Sequence, residues 1–69
     1  MKIQRAIDTI VAKVTGTQYE LSVRLNTSPE QVSRWRNGRT FPQHRMLRSL
    51  ERLLGEAIEP EHDEPGQQP

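Results

Sequence analysis

The chain has 69 residues, of which 32% are hydrophobic, and no cysteine. That length and composition allow one small domain with a modest core, and exclude both a disulfide framework and a thiolate metal site. Net charge is only +1, but residues 1–54 hold all ten Lys and Arg against Asp8, Glu20, Glu30 and Glu51, a balance of +6, whereas residues 55–69 carry −5. A basic body with an acidic end favours a nucleic-acid partner, with a merely solvated basic surface as the plain alternative.

The first element expected is a helix from about Lys2 to Val14. Ile3, Ile7, Ile10, Val11 and Val14 recur at the spacing of one buried stripe, so its role is support. Arg5 and Asp8 interrupt this stretch, which therefore lacks the unbroken apolar run of an export signal or membrane span; a cytoplasmic, nucleoid-associated protein is expected. Gly16 ends the helix, and Thr17 with Glu20 three residues later makes a capping box that opens a second helix, Gln18 to about Leu25. Leu21 and Leu25 face inward, with small Ser22 where another helix crosses. Asn26 stops it, because asparagine tolerates positive φ.

After a turn, Ser28 caps a third helix with Gln31 as its capping-box partner, Pro29 takes the first helical position, and Asn37-Gly38 closes it. Ser28, Val32 and Trp35 share one face; Glu30, Ser33, Arg34 and Asn37 share the other. Trp35, on the Val32 face, is read as core and not as a base-stacking platform. The outer face offers the side-chain types that hydrogen-bond base edges, although a solvated Glu30 to Arg34 pair explains it equally well. Pro42 begins a fourth helix that runs to about Leu54, before Gly55. Its broad apolar stripe of Met46, Leu47, Leu50, Leu53 and Leu54 leaves the Met46 and Leu53 flank, with Ala57 and Ile58, as the expected homodimer interface. Residues 59–69 combine proline, acid and amide without an apolar side chain, the composition of a disordered acidic tail. The fold class expected is therefore all-α: a compact bundle of four or five short helices over residues 1–58.

Two short helices joined by so tight a turn make a helix-turn-helix, which spacing alone does not separate from a structural helical corner. The stretch Gln18, Glu20-Leu21-Ser22, Asn26-Thr27-Ser28, Val32-Ser33, Trp35 and Asn37-Gly38 resembles the Cro and lambda-repressor (XRE-like) type of helix-turn-helix protein. Residues 17–54 carry the resemblance; the first helix matches only in its amphipathic pattern. Asn26 stands where that family usually has glycine, and Pro29 stands where relatives often place a base-contacting polar residue, moving base reading deeper into the helix.

The resemblance implies a sequence-specific regulator of double-stranded DNA, a repressor of phage or mobile-element type acting as a homodimer on half-sites about 34 Å apart. Base contacts would come from Arg34 first, then Glu30, Gln31 and Ser33. Phosphate contacts would come from Gln18, Arg36, Asn37, Arg39, Thr40, Arg45 and Arg48. His44 and His62 are isolated, and no metal-ligand spacing, phosphate loop or nucleophile and base pair is present in the sequence, so no enzyme, cofactor or metal is expected. A second reading is an antitoxin-like interaction module whose acidic tail binds a protein partner; a third is a helical adaptor that binds no nucleic acid.

Overall fold

A computed structural model describes residues 1–60. Of the acidic tail expected over residues 59–69, residues 61–69 lie outside the described residues. Four α-helices follow in order: α1 (Ile3–Ile10), α2 (Gln18–Leu25), α3 (Pro29–Arg36) and α4 (His44–Leu54), with no strand among the described residues. This is the all-α fold expected.

The first helix does not run on as a straight cylinder to Val14. After Ile10 it widens into a π turn over Val11–Thr15, closed by the Gly16 N–H donating to the Val11 carbonyl at 2.8 Å. The i to i+5 pattern changes the angle per residue, so a stripe drawn at helical spacing drifts off the core. Ile3, Ile7 and Ile10 are buried as expected; Val11 is half-buried and Val14 is 40% exposed. Ala6, absent from the expected stripe, is fully buried instead.

The caps form largely as the sequence dictates. Thr17 Oγ1 accepts the Glu20 N–H at 3.0 Å, and Ser28 Oγ accepts the Gln31 N–H at 3.1 Å. Neither box has its reciprocal bond among the described residues; Glu20 instead pairs with Arg24 at 3.7 Å. The α2 to α3 turn pivots on Asn26, held at φ 57°, ψ 46°. There the Thr27 N–H reaches the Ser22 carbonyl at 2.9 Å and the Asn26 N–H reaches that of Val23 at 3.1 Å, a Schellman closure. The same motif ends α3: Arg39 N–H to Arg34 carbonyl at 2.9 Å, Gly38 N–H to Trp35 carbonyl at 3.1 Å.

One core joins all four helices. Ile3, Ala6, Ile7 and Ile10 of α1 meet Leu21 and Leu25 of α2, Val32 and Trp35 of α3, and Leu50 of α4. Trp35 is 2% exposed within this cluster and belongs to the core, as expected. Ser22, buried as expected at the crossing, satisfies its hydroxyl by donating to the Tyr19 carbonyl at 2.6 Å. Pro42 is buried just ahead of α4, which starts two residues later than expected, with Gln43 as its cap.

Past α4 the chain turns back on itself. Ile58 is only 4% exposed and belongs to the core, its N–H donating to Glu51 Oε2 at 2.9 Å. The Glu59 N–H donates to the Met1 carbonyl at 2.8 Å. Ile58 is therefore committed to the monomer's interior and not free for a subunit interface. The local reason is Gly55 at φ 85°, whose left-handed turn redirects the segment toward the amino terminus.

Candidate nucleic-acid interface

The site is built on α3. Val32 and Trp35 bury one side of this two-turn helix against α1 and α2, which prevents it from rolling about its axis. The opposite side is left at the surface: Glu30, Arg34 and Asn37 are exposed, while Gln31 and Ser33 are half-buried. Arg34 Nη2 donates to Glu30 Oε2 at 3.2 Å, and Asn37 Nδ2 donates to Ser33 Oγ at 3.3 Å, so the outer face is already knitted along its length. Gln31 enters the cap through its backbone N–H; its side chain is not committed to the capping box.

Gln18 and Arg36 are held together. Arg36 Nη1 donates to Gln18 Oε1 at 2.9 Å and Arg36 Nε pairs with Asp8 Oδ1, while Gln18 Nε2 donates to the Pro29 carbonyl at 3.3 Å. The structure thus ties α1, α2 and both ends of α3 through two side chains that the sequence had placed only as independent phosphate contacts. Asp8 was missed. Its charge was visible, but its partner lies 28 residues away, beyond the reach of helical spacing.

Arg39 and Thr40 are exposed in the loop after α3. Arg45 and Arg48 are exposed on α4, with Arg48 Nη1 lying 3.4 Å from His44 Nε2. Of the expected interface residues, Met46 and Leu53 are half-buried against the core and Ala57 is exposed. A second apolar surface was not foreseen: Tyr19 at 65% and Val23 at 54% exposed lie four residues apart on α2, and Val14 is also exposed. No described helix is long and apolar enough to cross a membrane.

No family model and no solved structure matches the chain. Over 54 residues, 78% of its length, it is 33% identical to the 26 kDa repressor protein of Escherichia phage HK022. The matched stretch spans 23% of that protein. A helix held rigidly by its inner face, with a polar outer face and a tight turn before it, thus occurs in a chain that is similar over most of its length to part of a phage repressor protein.

Proposed function

We propose that the chain is a sequence-specific binder of double-stranded DNA of the Cro and lambda-repressor type, acting as a homodimeric transcriptional repressor. The observation that carries this reading is the mounting of α3: Val32 and Trp35 immobilise it, leaving Glu30 and Arg34 exposed and Gln31 and Ser33 half-buried at the flanks. Its similarity to a phage repressor protein supports the same reading.

The amino-terminal half of α3 lies in the major groove, and α2 crosses the backbone. In the free protein Arg34 pairs with Glu30, a bond between exposed groups worth only about 0.3–0.5 kcal/mol. A bidentate contact from Arg34 to guanine discriminates by about 1–3 kcal/mol, so exchange of partners favours DNA. Glu30, released, accepts from a cytosine amino group and repels a misplaced phosphate. Gln18, Asn37, Arg39, Thr40, Arg45 and Arg48 hold phosphates on either side. Met46, Leu53 and Ala57 form the subunit contact, with Ile58 beneath it as core.

Selection of binding sites from random duplex DNA at near-physiological salt, with wild type and Arg34→Ala in parallel, tests this. A two-fold symmetric site, with preference lost at one base pair per half-site in the variant, is the expected result. Failure of wild type to enrich any motif overturns the reading and directs attention to a protein partner at the Tyr19 and Val23 surface.

A further inference from the structure

We infer that Arg36 is not a phosphate contact but a positioning residue: anchored by Asp8 of α1, it orients the Gln18 amide so that one Gln18 N–H is presented to a DNA phosphate. The inference rests on the DNA-binding reading above and assigns a role within it to two residues, Asp8 and Arg36, far apart in sequence.

The chemistry of the three groups allows only one arrangement. Guanidinium donates and never accepts; a proline carbonyl accepts and never donates. Gln18 lies between them, so its oxygen must face Arg36 and its nitrogen must face Pro29. Reversing the amide would break both bonds. A side-chain amide nitrogen carries two hydrogens, and Pro29 takes one. The other remains on Gln18 at the first position of α2, beside the unpaired backbone N–H groups and the positive end of the helix dipole, where an anion is favoured.

Asp8 is what turns Arg36 toward Gln18. Its carboxylate holds Nε while Nη1 reaches the amide oxygen, so the guanidinium is fixed at two corners. A free glutamine loses considerable rotamer freedom when it binds; one already held by two bonds has little left to lose. The carboxylate, which alone would repel DNA, therefore favours binding through this relay.

The test measures affinity for the selected duplex over a series of salt concentrations, using folded protein verified by circular dichroism. Variants are Asp8→Asn, Arg36→Met and Gln18→Ala, singly and combined. Arg36→Met is expected to weaken binding roughly fivefold to tenfold, with the slope of log affinity against log salt unchanged. Loss of a direct phosphate contact would instead reduce that slope by about 0.9. Asp8→Asn is expected to weaken binding too, although it removes a negative charge. In a Gln18→Ala background both effects should shrink to under twofold, which a general structural role would not produce.

A reduced slope for Arg36→Met, tighter binding by Asp8→Asn, or equal losses with and without Gln18 would each overturn the inference while leaving DNA binding intact. Absence of binding by wild type overturns the DNA reading itself, and the phosphate role of Gln18 with it. Ordering of the Gln18 amide is read separately by its side-chain NH2 resonances in the free protein. Those two resonances should be dispersed in wild type and collapse toward random-coil positions in Arg36→Met; unchanged resonances contradict the positioning role.

Discussion

Single side chains divide into those that hold α3 and those that use it, and Ile58 illustrates how burial decides between such roles. Placed by sequence on an intersubunit flank, it lies in the core with its N–H held by Glu51. Ile58→Ala should destabilise the fold by about 2–4 kcal/mol, because burial is lost and a cavity remains. Urea unfolding checks this, and the loss should not vary with protein concentration as an interface defect would. Trp35→Ala should cost about 3–5 kcal/mol in the same assay, since it is the largest side chain in the core. Arg34→Ala should leave stability within about 0.5 kcal/mol, as expected for an exposed residue in a weak surface pair.

Helix ends govern the next level of organisation. The turn before α3 and the loop after it both depend on residues in the left-handed region, Asn26 and Gly38. Gly38 has a second constraint, since a Cβ there would lie 2.7 Å from Gln4 Nε2. Gly38→Ala should therefore cost about 1–2 kcal/mol, most of it backbone strain, because the glutamine end can move. Asn26→Val should cost at least as much, whereas Asn26→Gly should be close to neutral; thermal melts of the three variants order them. Start signals were legible because they are local: Thr17, Ser28 and Pro29 act on N–H groups within one turn. The π turn was not. Nothing in the residues 11–15 alone requests it, and it closes through Gly16 at φ 85°, whose N–H reaches back five residues to Val11.

For the molecule as a whole, charge and assembly are the properties to measure. Exposed Arg39, Arg45 and Arg48 lie outside the core and their loss should act on DNA affinity alone. Arg39→Ala should weaken binding to all duplexes about equally and reduce the salt slope by about 0.9 per subunit. Ala57, exposed beside the half-buried Met46 and Leu53 flank, offers a dimer test that spares the core. Ala57→Glu should raise the dimer dissociation constant about tenfold or more in sedimentation, by burying a charge at the contact, while the monomer's melting is unchanged.

Helix identity, the all-α class, the caps, and the inner and outer faces of α3 follow from the sequence alone. Each rests on interactions spanning five residues or fewer, and Val32 and Trp35 are buried while Glu30 and Arg34 are exposed, in keeping with that local periodicity. Other features were decided by distant parts of the chain meeting. Val14 leaves the core because a π turn rotates it away, Ile58 enters the core because Gly55 sends the chain back toward the amino terminus, and Arg36 turns toward α1 because Asp8 lies opposite it. Local pattern specifies which side of a helix is apolar, but not what the rest of the chain brings against it. Packing and long-range charge pairing make that choice, and only the tertiary structure contains them.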